Sequence, residues 1–225
     1  WADLFAKRLI NDAALLLPQN STEPWFSAQF AARRTRVGEL SRRLTTPFSF
    51  EEVRDVVARL QREKACGADE IPGEVLQNLP EDALRSLTAV FNDIMRTKRI
   101  PVEWRETVIY TLHKSGDPSR CSNYRPISLL SVPYKLFASL LTKRLSRLAE
   151  EAGLFLDVQG GFRKGRSCID KITLLTGRIR ENKKGGHQTH CVFVDVKKAY
   201  DSVPHDTLFR TLQRHGIDED FLSLL

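Results

Sequence analysis

The sequence predicts an α+β fold, because three segments have helical periodicity and two short apolar runs are typical of β-strands. Apolar residues recur every three or four positions after Ser49, after Pro80 and after Ser131. The strand candidates are residues 107–112 and 191–195. Helices and strands do not alternate regularly along the chain, which disfavours a doubly wound α/β sheet.

The first 46 residues predict a helix, a loop and a second helix, with the loop between Pro18 and Pro24. Ser49 and Glu52 then form a capping box, in which a hydroxyl and a carboxylate each accept a free N–H at a helix start. We expect this helix to end at the Cys66-Gly67 pair, and residues 67–72 to form a loop.

Two longer helices follow, one after Pro80 and one that opens with Ser131 and Pro133. Pro101 ends the region of the first helix and Gly153 ends the second. Their inward faces are predicted to consist of Leu84, Leu87, Phe91, Ile94, Leu136, Phe137, Leu140, Leu141, Leu145 and Leu148.

Glycine and proline mark the remaining turns and interruptions in the chain. Residues 116–118 predict a turn after the first strand, and glycines at 160, 161 and 165 interrupt a basic stretch. Residues 183–186 predict a hairpin-like or disordered tip. Residues 191–195 then form a strand that ends in the carboxylate of Asp195.

The net charge of +7 is concentrated, since residues 160–190 contain eight Lys or Arg and two acids. Such a stretch indicates a polyanionic partner, with a solvated surface as the alternative. No apolar run is long enough for a membrane span, and the four scattered cysteines predict neither a zinc site nor a disulfide framework. Residue 1 is Trp and the only methionine is Met95, so we expect both ends to be cut from a longer chain.

Asp195 is the most informative single residue. An ionised carboxylate at the end of a buried strand is costly unless it is paired or binds a cation, although capping the next helix is a common alternative. A P-loop NTPase would explain such a residue, but GGFRKGRS at 160–167 has Arg166 where that motif requires lysine. A polymerase that uses two metal ions is the other enzyme class with this feature.

The block FVDVKKAYDSVPH at 193–205 resembles the first catalytic motif of reverse transcriptases, in the form found in non-LTR retrotransposons. Three further blocks follow the order of that family. They are KACGADEIP at 64–72, KSGDP with NYRPISL at 114–129, and QGGFRKGRS at 159–167. The resemblance extends over residues 48–225.

The resemblance implies the fingers and part of the palm of a right-hand polymerase. Residues 1–47 would be a helical extension, 48–190 the fingers and 191–225 the start of the palm. The implied activity is RNA-directed DNA synthesis, with Mg²⁺, an RNA template, a DNA primer and deoxynucleoside triphosphates. The implied location is inside the cell, in the nucleus or cytoplasm, and the oligomeric state stays open.

The resemblance also implies roles for individual residues. Asp195 would bind the metal ion with help from the carbonyl of Val196, and Tyr200 would exclude a 2′-hydroxyl from the incoming sugar. Lys114 and Arg125 would hold the triphosphate, since a guanidinium binds phosphate oxygens bidentately.

In the second fingers block, Arg163, Lys164 and Arg166 would contact the template–primer backbone, beside glycines that permit close approach. The second carboxylate cluster of the family, an aromatic-x-Asp-Asp turn, does not occur in the sequence. We therefore expect these 225 residues alone not to polymerise. A non-enzymatic RNA-binding relic remains an alternative, as does a group II intron reverse transcriptase.

Overall fold

Helices form most of the structure, a computed structural model that describes residues 24–196 and 202–225. The helices are α1 Pro24–Ser41, α2 Phe50–Ala58, α3 Gly73–Gln77, α4 Glu81–Thr97, α5 Val132–Glu151, α6 Cys168–Lys184, α7 His205–Arg214 and α8 Glu219–Leu222. Strands β1 Val108–His113 and β2 Tyr124–Leu129 form an antiparallel hairpin. None of the described helices is both long and apolar enough to cross a membrane.

The helix predicted at the end of the amino-terminal region is confirmed as α1. It begins with Pro24, a residue suited to the first helical position because that position needs no N–H donor. The helix and loop predicted before it lie outside the described residues.

Helix α2 begins as predicted and ends earlier. The Ser49 hydroxyl accepts the N–H of Glu52 at 3.1 Å, and the Glu52 carboxylate accepts the N–H of Ser49 at 3.1 Å. The helix ends at Ala58, so the predicted end at Cys66 is wrong. Residues 61–65 are all exposed, and a helix extended through them would bury no apolar side chain.

Helices α4 and α5 confirm the prediction, with α5 starting at the Ser131 cap. Every apolar residue predicted to face inward on them is buried except Leu87 and Leu145, which are partly buried against the core. The strand predicted at 107–112 is confirmed as β1, shifted by one residue.

An aromatic cluster forms the centre of the core, where α2 packs on both α4 and α5. The ring centroids of Phe91 and Phe137 lie 5.6 Å apart. Phe48 meets the Phe137 ring edge-on with centroids 6.0 Å apart, and Trp104 meets it at a tilt with centroids 6.1 Å apart. The Asn92 side chain fixes Phe48, because its amide accepts the Phe48 N–H at 2.6 Å and donates to the Phe48 carbonyl at 3.0 Å.

The carboxyl-terminal segment joins the same core through α1. The N–H of Asp218 donates to the hydroxyl of Ser41 at 2.7 Å, and Ile217, Phe221 and Leu224 are buried. Residues more than 170 positions apart in sequence therefore contribute to one apolar cluster.

Arg144 on α5 ties the chain between α1 and α2 to the rest of the core. Its guanidinium donates to the Glu52 carboxylate at 2.7 and 3.2 Å and to the carbonyls of Leu44 and Pro47, each at 3.1 Å. It also donates to the carbonyl of Thr46. Partial burial opposes ionisation of Glu52, but the hydrogen bonds from Arg144 and the Ser49 backbone outweigh it and lower the pKa of Glu52.

Several further features differ from the prediction. Residues 191–195 are not a strand but exposed chain without regular secondary structure, and no strand in the described part pairs with them. Helix α6 and strand β2 were not predicted, and Lys183 and Lys184 end α6 where a tip was expected. A capping box of Ser167 and Asp170 starts α6.

We expect Arg144→Ala to lower the free energy of unfolding by roughly 2–4 kcal/mol, because the carbonyl of buried Leu44 and the partly buried carboxylate of Glu52 lose the donors of Arg144. Urea denaturation followed by circular dichroism measures the change. Arg147→Ala is the matched control, an exposed arginine on the same helix, and should cost no more than about 0.5 kcal/mol. Equal losses in the two variants would show that the Arg144 contacts add nothing.

A second prediction concerns Gly67, which packs directly on the backbone before α5. A Cβ at this position would lie 2.5 Å from the nitrogen of Ser131 and 2.6 Å from the carbonyl carbon of Leu130. We expect Gly67→Ala to destabilise the protein by about 1–3 kcal/mol. Gly177→Ala, where a Cβ meets no atom within 4 Å, should be neutral or stabilising, and the same denaturation assay compares them.

Candidate nucleotide and nucleic-acid site

The β1–β2 hairpin brings Lys114 and Arg125 to one face. The register pairs Leu112 with Arg125, and the N–H of Lys114 extends the ladder by donating to the carbonyl of Asn123 at 2.8 Å. Lys114 is two positions beyond Leu112, so it lies diagonally across the hairpin from Arg125 on the same face. Two cations of one sequence block, eleven positions apart, are thereby placed on the same face of the hairpin.

A hydrogen-bonded turn holds this end of the hairpin in place. The Asp117 carboxylate accepts the N–H and the hydroxyl of Ser119 at 2.9 and 2.8 Å, and these bonds lower the pKa of Asp117. The Asn123 amide donates to the Asp117 carbonyl at 2.9 Å. Gly116 has a φ of +86°, a left-handed conformation that favours glycine.

Both faces of the hairpin are largely exposed, including the apolar residues Ile109, Tyr110 and Leu112. A two-stranded hairpin is at best marginally stable without a surface to pack on. Within the described residues, β1 pairs with β2 alone. The face with Lys114 and Arg125 is therefore accessible to a ligand.

The second cationic element is the segment at residues 160–166, which we call the basic loop. Arg163 anchors it: its guanidinium donates to both oxygens of Glu150 at 2.9 and 2.8 Å and to the carbonyls of Leu156 and Gln159 at 2.9 and 3.3 Å. The same group lies 5.4 Å from the ring centroid of Phe155. The hydrogen bonds from Arg163 lower the pKa of Glu150.

Arg163 therefore directs its charge into the protein, with only 9% of its side chain exposed. Direct contact between Arg163 and nucleic acid stays a prediction, and four of the five N–H donors of its guanidinium already bond within the protein. Sequence reasoning missed Glu150, because a pairing across 13 residues leaves no local motif.

Lys164 and Arg166, in contrast, present their charges to solvent. Both are exposed, and Arg166 has a distant acidic neighbour, the Asp157 carboxylate at 3.9 Å. Gly165 has a φ of +72°, and a Cβ at Gly161 or Gly165 would meet no atom within 4 Å. The loop thus offers two accessible cations beside open space that admits a phosphate backbone.

Asp195 and Val196 lie in the exposed segment after α6, which has no regular secondary structure. Among residues 24–196 and 202–225, no three histidine, cysteine or acidic side chains cluster as a metal site would require. One carboxylate and one carbonyl supply too few ligands for a complete divalent-cation site. Tyr200 lies outside the described residues.

Comparison with known proteins places these elements in a family. A model of the reverse transcriptase (RNA-dependent DNA polymerase) family matches residues 112–224, half of the chain. This range includes β2, the basic loop and Asp195.

Three relatives come from Drosophila melanogaster. The probable RNA-directed DNA polymerase from transposon BS is 32% identical over 169 residues, 75% of this chain and 19% of that protein. The corresponding protein from transposon X-element is 34% identical over 161 residues, 71% of this chain and 18% of that protein. The RNA-directed DNA polymerase from mobile element jockey is 26% identical over 205 residues, 87% of this chain and 22% of that protein.

The chain spans about a fifth of the length of these curated relatives. Reverse transcriptases as a family depend on a divalent metal ion and use an RNA template. The resemblance found in the sequence is confirmed by the match over residues 112–224 and by the mobile-element relatives. The chain belongs to the reverse transcriptase family, in its non-LTR retrotransposon type, and comprises part of that family's catalytic domain.

Proposed function

We propose that the protein containing this chain is an RNA-directed DNA polymerase, which copies retrotransposon RNA into DNA from a DNA primer in the nucleus or cytoplasm. The observation that carries the proposal is the placement of Lys114 and Arg125 on one accessible face of the hairpin. In this assignment the architecture is a right-hand polymerase. Residues 1–47 are the extension, 48–190 the fingers and 191–225 the beginning of the palm.

Lys114 and Arg125 have the chemistry to hold a nucleoside triphosphate. The Arg125 guanidinium binds two phosphate oxygens at once, and the Lys114 ammonium adds a second positive charge on the same face. The turn at Asp117 fixes both residues before a nucleotide arrives, so binding orders few additional bonds.

Asp195 and the carbonyl of Val196 would contribute ligands for Mg²⁺, with the remaining carboxylates supplied from outside the described residues. Mg²⁺ in such a site neutralises triphosphate charge and activates the primer 3′-hydroxyl. Tyr200 would select against a 2′-hydroxyl. Support for these three assignments comes from the family motif at 193–205.

The basic loop would contact the template–primer backbone through Lys164 and Arg166. We expect affinity of this chain for single-stranded RNA to fall as salt rises, because each neutralised phosphate releases a counterion. Lys164→Ala and Arg166→Ala should each reduce the salt slope by about 0.7 in fluorescence anisotropy titrations. Arg96→Ala, which removes an exposed cation on α4, is the control and should leave the slope unchanged.

The polymerase assignment predicts the behaviour of the longer protein in primer extension. Asp195→Asn should abolish RNA-templated extension, whereas Lys114→Ala and Arg125→Ala should lower kcat/KM for the nucleotide roughly tenfold or more, since a charge-assisted hydrogen bond contributes about 1.5–3 kcal/mol. Arg120→Ala removes an exposed cation from the same turn and should retain activity. Extension that persists in Asp195→Asn would refute the assignment, and RNA binding without extension in the unaltered longer protein would favour a non-enzymatic relic.

A further inference from the structure

Phe162, in the basic loop, combines a highly exposed side chain with an uncommon backbone conformation. Its surface is 89% exposed, and its φ of +59° lies in the left-handed region that bulky side chains rarely adopt. Such a conformation persists where the surrounding structure imposes it, and it is common at binding sites. The sequence motif assigns roles to the cations of this loop but none to the ring.

The Glu150–Arg163 pair explains why the conformation persists. Arg163 follows Phe162 directly, and its guanidinium is held by two carboxylate oxygens on the last turn of α5 and by the carbonyls of Leu156 and Gln159. The backbone beside Phe162 is therefore fixed before a ligand binds. A fixed ring loses little conformational freedom when it makes a contact.

The surroundings of Phe162 select the kind of ligand. Lys164 and Arg166 follow at two and four positions and are exposed, and a Cβ at Gly161 or Gly165 would meet no atom within 4 Å. An accessible aromatic ring beside exposed cations is the arrangement with which proteins hold single-stranded nucleic acid, since the ring stacks on a base and the cations bind phosphates.

We propose that Phe162 stacks on an unpaired base of the bound RNA and that the Glu150–Arg163 pair is the contact that positions it. Lys164 and Arg166 hold the phosphates on either side of that base. The inference rests on the proposed function, since it takes RNA as the ligand of the basic loop. It adds a recognition element for unpaired template and gives Arg163 a positioning role in place of a phosphate contact.

Anisotropy titration of the chain with single-stranded RNA tests the stacking contact. Phe162→Ala should weaken binding roughly 5- to 150-fold, the range for one base–aromatic stack. Phe162→Leu should stay weak, because it retains an apolar side chain without a ring. Phe162→Trp should retain the affinity of the unaltered chain, and RNA should quench the fluorescence of the added tryptophan. Val102→Ala removes a 67% exposed apolar side chain outside the loop, and this control should bind normally.

Stacking also requires an unpaired base. Phe162→Ala should therefore change affinity for a fully paired RNA duplex less than twofold. The stacking proposal would be overturned if Phe162→Leu bound single-stranded RNA as tightly as the unaltered chain does. It would also be overturned if Phe162→Ala left that affinity unchanged. The latter result would instead indicate that the ring packs on another part of the longer protein.

The positioning role has its own test. Glu150→Gln and Arg163→Gln should each weaken RNA binding, and the double variant should be no weaker than either, because both remove one interaction. Hydrogen exchange at residues 159–166 should accelerate in all three. Had Arg163 bound phosphate directly, Glu150→Gln would release it and strengthen binding, so a gain in affinity would overturn the positioning role.

Failure of the inference and failure of the proposed function give different results. If the salt slope still depends on Lys164 and Arg166 while Phe162 has no effect, the loop binds RNA and only the stacking proposal is wrong. If the unaltered chain binds no RNA at low salt, the stacking proposal and the proposed role of Lys164 and Arg166 are both wrong, and primer extension by the longer protein then tests the polymerase assignment separately.

Discussion

The hydrogen bonds of Arg144 are the constraint on which the rest of the structure depends. They join the chain that leaves α1 to α5, while Glu52 on α2 supplies the compensating charge. Helix α5, about 30 Å long, connects the two cationic elements, since β2 leads into its start and the basic loop follows its end. Glu150, in its last turn, carries the second arginine–carboxylate pair. Holding α5 in the core therefore also positions the candidate site.

Backbone hydrogen bonding explains why the helices are folded while the segment at 191–196 has no regular secondary structure. A helix satisfies its own N–H and C=O groups, so α1, α2, α4 and α5 need only an apolar surface to pack on. A strand needs a neighbouring strand, and among the described residues the segment at 191–196 has none. Asp195 is thus exposed on chain without regular secondary structure, which agrees with a catalytic domain represented in part.

Local chemistry made much of this fold predictable. The Ser49–Glu52 capping box identified α2, and the apolar residues that recur every three or four positions after Pro80 and Ser131 identified α4 and α5. Neighbouring residues alone were enough for each of these predictions. Helix α6 was missed because its capping residues, Ser167 and Asp170, lie in the basic stretch at 160–190, which was interpreted from its charge alone. The family motif identified Lys114 and Arg125 as candidates. That they lie on the same face of the hairpin follows only from the register of β1 and β2. The contacts of Arg144 and of Arg163 join residues far apart in sequence, and no local pattern predicts them.

The central claim is that a helical core held by Arg144 is folded by itself and presents the hairpin and basic loop to a nucleic-acid ligand. Hydrogen–deuterium exchange on this chain, with and without single-stranded RNA, tests it most directly. We expect slow exchange in α2, α4 and α5 under both conditions, fast exchange at 191–196, and new protection at 160–166 when RNA is added. Slow exchange at 191–196 without RNA, or RNA-induced protection that leaves 160–166 unchanged, would contradict it.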